Sequence, residues 1–558
     1  MKNILLIITF LMLAGCYKDI GNYTYTDEPR IEIRGVENTY RKVAMLEDPT
    51  LSIPVIITTE YPESELFYSW SIGRDTISLE KNLRFDISNA PINLRPGAYN
   101  LVLAVEHRAN ASQEKQYRYT VYATAVLSVE TKFSRGFYVL KETSSGNTDM
   151  DFFILEEDFG KQDLEAIPER FNVEDAAINV LAQMIGEQLE GNPQVLAQLT
   201  YHPFIDPVTG SREVGQCLGI TTDQTIAVIL CRDMIRVTDP QTLFWDPDAS
   251  IGKPGRFFRT SSHAVYLSDN GCYSLAAGSA GTGRFGPPAV VDKQGGSRWA
   301  VPLYGNTLRV IFWDEINGRF LTLVTLGNNS TTTPYSGPAN PDDPQPNGIT
   351  DKMLYMGGHY PFGGPYGSSD PVYAIMQPED TSDRKLYRLT HMDTRPETPI
   401  DWVFFPGGDK FNTATHYALN AWDIRMLYYV ADGELYCRIL GTTPQETGPE
   451  ERLFLQGFPA GEQVTYVSNR FWWSTLDPNF RFNYLVVGSS KGDGTYTISM
   501  YETMGGRPQG NPKVQFSGLG SIADIQYMAP RGGNGTDISN SGFPAEWGGS
   551  NSYALSYN

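Results

Sequence analysis

Apolar and polar positions along the chain predict strands almost throughout. Residues 66–72 alternate, with Leu66, Tyr68, Trp70 and Ile72 on one face, and Leu101, Leu103 and Val105 repeat the same period of two. Residues 51–57 and 119–123 add two further strands, so a short β-domain ends near Thr131. Beyond it, pairs of apolar runs flank Asn270-Gly271, Asn317-Gly318, Asp432-Gly433 and Asp493-Gly494. Such dipeptides suit type I′ hairpin turns, in which both central residues need positive φ. A further pair, residues 373–376 and 385–388, turns near Arg384. The turn positions 271, 318, 384, 433 and 494 recur about every 56 residues, close to the length of a propeller blade. With hairpins near Gly146 and Arg232-Asp233, about seven units are expected. One stretch reads differently. Ala176, Ile178, Val180, Leu181, Met184, Ile185 and Leu189 are spaced mostly by three and four, which predicts an amphipathic helix near 173–190, stopped by Gly191-Asn192-Pro193.

The fold class expected is therefore all-β: a β-sandwich over 31–131, then a β-propeller-like domain over 132–530 with the helical insertion. Composition agrees. Gly and Pro together number 53 + 36 = 89 of 558 residues, and charged residues are only 19%, so the chain turns often and is not a disordered polyelectrolyte. The net charge of 44 − 64 = −20 excludes the basic stripe that nucleic acid requires, and equally argues against electrostatic adhesion to anionic lipid. Six histidines, none in His-Glu-x-x-His spacing, give no sign of a zinc site, and no metal or cofactor is expected.

The first residues carry the most specific signal. Lys2 precedes an apolar run over residues 4–14, too short for a bilayer span and right for a signal-peptide core. Leu13-Ala14-Gly15-Cys16 then resembles the bacterial lipobox, whose small residues admit the peptidase and whose thiol accepts the lipid. Residues 1–15 are thus expected to be removed, Cys16 to carry the lipid, and residues 16–30 to form a tether. Several acyl chains on one cysteine anchor far more firmly than a single one. Tyr17 rather than Asp follows, so the inner-membrane retention signal of proteobacterial lipoproteins is missing. Cys217, Cys231, Cys272 and Cys437 remain, either as disulfides permitted by export or as buried thiols.

Motifs that suggest catalysis sit in the wrong setting. Residues 281–286 match G-x-G-x-x-G but run into Pro287-Pro288 without a helix. Ser382-x-x-Lys385 falls on a hairpin loop, and Ser490 in Gly-x-Ser-x-Gly leads into another strand, so neither provides a nucleophile. Asp149/Asp151 and Asp342-Asp343 lack the calcium-loop pattern. No catalytic residue is assigned. Trp472 and Trp473, with Tyr360, Phe362 and Tyr366 in a Gly/Pro-rich loop, are candidate ligand or partner contacts, because aromatics give large contact area at low entropic cost. The residues after 530 form a Gly/Ser/Asn-rich tail, 531–558.

Trp70 on a central strand and a Pro96-Gly97-Ala98-Tyr99 turn before the next strand resemble an immunoglobulin-like sandwich, and residues 68–75 are similar to the Tyr-x-Trp run of PKD domains. Cys16-Tyr-Lys-Asp-Ile-Gly-Asn-Tyr-Thr-Tyr25 and the Gly136-Phe-Tyr-Val-Leu140 start of the larger domain resemble the PKD-like family lipoproteins of Bacteroidetes. Asp75-Thr76-Ile77 resembles the O-glycosylation acceptor of that phylum, with Thr76 as the acceptor. The family resemblance implies a lipid-anchored outer-membrane protein facing the cell exterior. It also implies partnership with SusC/SusD-type importers whose cargo is glycan or oligopeptide. Two readings follow: a non-enzymatic binding or scaffold component, or a surface hydrolase of a polysaccharide or peptide polymer with its site in the propeller funnel.

Overall fold

The computed structural model describes residues 30–44, 49–87, 94–108, 118–134, 136–156, 169–259, 264–275, 281–288, 299–302, 309–326, 329–358, 371–390, 399–420, 424–473, 481–528 and 556–557. The chain is all-β and forms two compact units, Met1–Val129 and Glu130–Asn558. Among the described residues no helix is long and apolar enough to cross a membrane.

The smaller unit is a sandwich. One sheet holds five strands in the order Thr39–Ala44, Arg118–Thr131, Gly97–Arg108, Leu66–Ile72, Asp75–Ser78. Against it lie the pairs Thr50–Ile53 with Leu83–Asp86 and Glu32–Arg34 with Ile56–Thr58. Gly97–Arg108 buries every second residue from Leu101 onward, which is the alternation read from the sequence. The inward residues Leu101, Leu103 and Val105 meet Leu51, Ile53 and Phe85 around a fully buried Trp70. The Trp70 indole N–H donates to the Lys81 carbonyl at 3.2 Å, so its one polar atom is satisfied. The Tyr99 hydroxyl donates to the Arg95 carbonyl at 2.6 Å, as a corner tyrosine does.

Among its described residues the larger unit contains seven antiparallel sheets that follow one another along the chain. The second to seventh open with Pro193–Ile205, Pro254–Arg259, Ala300–Pro302, Lys352–Gly358, His416–Leu419 and Gln463–Trp473, and each continues through neighbouring strands. The first is different. Its strands Gly136–Glu142, Thr148–Leu155 and Val173–Ala177 are joined at the Gly136–Glu142 edge by Ser521–Met528, from the far end of the unit. Ser556–Tyr557 adds to the edge of Lys352–Gly358.

Packing between sheets is cyclic. Tyr138 and Phe152 of the first sheet share a core with Leu196 and Ile229 of the second. Leu199 and Val228 meet Phe257 and Tyr266 of the third. Phe258 and Leu267 meet Phe312 and Leu321 of the fourth. Ile311 and Trp313 meet Met356 and Ala374 of the fifth. Tyr373 and Leu386 meet Tyr417 and Tyr429 of the sixth. Tyr428 and Val430 meet Leu485 and Val487 of the seventh. Val486 and Ile498 of the seventh then pack on Val139 and Phe153 of the first. Successive residues serve opposite neighbours, as Phe257 and Phe258 or Tyr428 and Tyr429 do, because side chains alternate across a strand. A sheet covered on both faces needs apolar residues at every position, so its strands do not alternate.

The seam between last and first sheets also holds a buried ion pair. Lys141 Nζ lies 2.5 Å from Asp151, and neither side chain is more than 1% exposed. Asp151 also accepts the Tyr496 hydroxyl of the seventh sheet at 2.6 Å and the Asn179 N–H at 2.8 Å. Asp149 accepts the Met150 and Leu181 N–H groups, while burial pushes its carboxyl above the usual range. These two aspartates are structural.

The helix expected over 173–190 is corrected. Val173–Ala177 is a strand with alternating burial, paired to Thr148–Leu155, and only Val180–Met184 is helical. Asn179 in the left-handed region (φ 56°) separates the two, and Gly186 (φ 89°) follows the short helix. The apolar positions fitted a helical period because a strand edge and one helical turn share a core. The expected type I′ turn occurs at Asp432-Gly433, where φ is 52° and 73°. At the other three dipeptides only the glycine has positive φ, and the loops close differently.

Candidate functional site

In an antiparallel sheet whose strands follow in chain order, the start of the first strand and the turn between second and third lie at the same end. One cavity is built from just these segments. Its volume is about 790 Å³. Gln194, Lys253 to Gly255, Trp299 and Thr350 to Met353 come from the starts of four first strands, in the second to fifth sheets. Asp269, Glu315 to Gly318 and Glu379 come from turns within the third, fourth and fifth. A second cavity of about 290 Å³ shares Gln194 and adds Glu142, Leu354, Thr415 to Tyr417 and Ser521 to Ala523. It therefore brings together the first, second, fifth and sixth sheets, which are not all chain neighbours.

One wall of the larger cavity is fixed in advance. Asp314 is fully buried and accepts the Ile316 and Asn317 N–H groups at 3.2 and 3.1 Å, the Asn317 side-chain amide at 2.8 Å and Arg319 Nε at 3.0 Å. This network holds the turn that presents Glu315 and Ile316, the latter 65% exposed. Gly318 completes the turn at φ 59°, with its carbonyl accepting the Ile349 N–H at 2.9 Å. A Cβ there would lie 2.1 Å from the Ile349 carbonyl oxygen, so no other residue fits.

The electrostatics are mixed. Asp351 is buried and bound to Lys385 Nζ at 2.7 Å and the Tyr387 hydroxyl at 2.9 Å, and burial beside that carboxylate drives the Tyr387 phenol far up. Asp351 is therefore committed to the protein. Asp269, Glu315, Glu379, Lys253 and Lys352 are exposed and face solvent in or around the cavity. Trp299 and Trp313 belong to the lining but are 1% and 2% exposed. In the smaller cavity, burial holds the half-buried His416 imidazole below its usual value, with Nδ1 3.1 Å from the Thr415 hydroxyl. Among the described residues no three His, Cys, Asp or Glu side chains gather as a metal site.

The structure places the sequence candidates as follows. Trp472 and Trp473 lie on the strand Gln463–Trp473, paired with Phe482 and Arg481. Tyr360, Phe362, Tyr366 and Cys16 lie outside the described residues. Thr76 is exposed on the edge strand Asp75–Ser78. Gly281 and Gly283 have φ of 80° and 73°, and the described residues 281–288 contain no helix. Lys385 is occupied by Asp351, and the Ser490 hydroxyl donates to the Thr495 carbonyl at 2.6 Å within a hairpin. Asp342 and Asp343 are exposed on a loop. Cys217, Cys231, Cys272 and Cys437 are buried free thiols, and Cys217 and Cys231 belong to cores on opposite sides of one sheet. Burial pushes the Cys437 thiol up to about 12. The cavity lining itself was missed, because its residues come from widely separated turns with no shared motif.

The fold and cavity define an all-β chain with a sandwich unit and a multi-sheet unit that carries a cleft at one end. Residues 16–193 match the model of the PKD-like family. No curated protein matches the chain. Among solved structures, the dihydro-heme d1 dehydrogenase NirN is similar at TM-score 0.35 and 10% identity, covering 72% of this chain and 76% of that one. A putative 6-phosphogluconolactonase from Bacteroides uniformis gives 0.29 and 11%, covering 77% and 99%. A regucalcin from Agrobacterium tumefaciens gives 0.26 and 10%, covering 61% and 92%. Such scores establish neither a shared fold nor a shared chemistry.

Proposed function

We propose that the larger unit is a seven-bladed β-propeller closed by Ser521–Met528, and that the protein is a non-enzymatic binding component. On this reading Cys16 is lipidated, the chain is held on the outer membrane facing the cell exterior, and Thr76 accepts an O-glycan. The N-terminal resemblance to Bacteroidetes PKD-like lipoproteins supports a role beside a SusC/SusD-type importer, with oligopeptide or glycan as cargo. The observation that carries the binding reading is the preorganised cleft of about 790 Å³, whose Asp314-braced wall presents side chains to solvent. A binding site gains affinity from such rigidity because less is lost on ordering. The second reading, a polymer hydrolase, draws on the cleft carboxylates Asp269, Glu315 and Glu379.

Incubating the purified mature chain with oligopeptides and oligosaccharides separates the two. Saturable binding with the ligand recovered intact supports the binding component. Steady turnover that is lost in Glu315→Gln or Glu379→Gln would replace it with the hydrolase.

A further inference from the structure

The exposed groups of the cleft discriminate between cargo classes. Sugar rings are held by hydrogen bonds from their hydroxyls and by packing on exposed aromatic faces. Trp299 and Trp313 line the cleft but are 1% and 2% exposed, so they offer no open face. Beside Thr350 and Asn317, whose amide is held by Asp314, what reaches solvent is charged and aliphatic. Glu315 and Glu379 stand on two turns without an ion pair to any other described residue, and so does Lys352 on the strand between them. Ile316 projects beside Glu315 from the same braced turn. Asp351 is already neutralised by Lys385. A neutral polyol can hydrogen-bond these carboxylates, but it supplies no cation to pair with them and no apolar side chain to cover Ile316.

Resting on the binding reading above, we infer that the cleft takes an oligopeptide bearing basic and aliphatic side chains. Its ammonium groups meet Glu315 and Glu379, its carboxylate terminus meets Lys352, and an aliphatic side chain covers Ile316. Discrimination by charge follows from placement of fixed charges on a rigid turn rather than from a strong single pair.

Titration calorimetry on the full mature chain tests this with three probes. They are a tetrapeptide of alternating leucine and lysine, its counterpart with glutamate for lysine, and a linear neutral glucan of similar length. The basic peptide is expected to bind at least fivefold more tightly than the acidic one, with no heat from the glucan. Glu315→Gln and Glu379→Gln each weaken the basic peptide by about threefold to fivefold, the range of an exposed ion pair. Both side chains are exposed, so both variants keep the wild-type melting temperature. Glucan binding with the peptides silent, or basic-peptide affinity unchanged in both variants, overturns the peptide inference while leaving a binding protein. Silence from all three probes overturns the binding reading as well.

Discussion

Removing one carboxylate should weaken the seam that joins the seventh sheet to the first. Asp151 is fully buried against Lys141 and accepts hydrogen bonds from Tyr496 and Asn179. Asp151→Ala leaves the Lys141 ammonium buried without its partner, a change that typically costs about 3–5 kcal/mol. The unit spans residues 130–558, roughly 430 residues, so its unfolding entropy is about 0.9 kcal/mol/K and each kcal/mol moves Tm by about 1 °C. A fall of about 3–6 °C is therefore expected by scanning calorimetry. Tyr496→Phe removes one hydrogen bond to a charged acceptor, about 1.5–3 kcal/mol, and should fall by about half as much. The double variant Lys141→Met/Asp151→Leu removes both charges and should regain most of the loss. Replacing Glu32, whose pair with Arg34 is exposed, should change almost nothing. An Asp151→Ala protein melting within 1 °C of wild type would refute the reasoning, as would a double variant no better than the single.

Four further outcomes are expected. Trp70→Ala should destabilise the sandwich by about 3–5 kcal/mol in a denaturant titration, since it empties the centre of that core. Gly318→Ala should cost about 2 kcal/mol or more and loosen the cleft wall, read as weaker ligand binding, because φ there is left-handed and the Cβ meets a carbonyl. The His416 pKa is lowered in the fold, so below about pH 6.5 the unfolded chain binds the extra proton and stability is lost as pH falls through that value. His416→Gln should flatten this part of the pH–stability curve. Cys16→Ser should release the protein from the membrane fraction, checked by fractionation and metabolic labelling with an alkyne fatty acid.

Much of the fold was legible, for physical reasons that differ between units. In the sandwich, one face of each long strand meets water, so Leu66 to Ile72 and Leu101 to Val105 write the core as alternation. In the larger unit both faces are covered, and the hairpins were visible instead through Asn-Gly and Asp-Gly, whose glycines do take positive φ. Val173–Ala177 was misread because edge strand and helix turn together mimic a helical period. The candidate site was not legible. Lys352, Glu315 and Glu379 belong to three separate turns or strand starts, and only the shared end of successive sheets brings them together. The two tryptophans of the cleft lining carried no sequence signal distinguishing core from contact.

The most direct test of the proposed role is recovery of partners from the membrane. The full chain, tagged at its C-terminus and expressed in its native host, would be extracted gently from the membrane fraction and its companions identified by quantitative mass spectrometry. The account predicts a SusC/SusD-type pair at near-equal stoichiometry, lost in Cys16→Ser. Recovery of the tagged chain alone would contradict it.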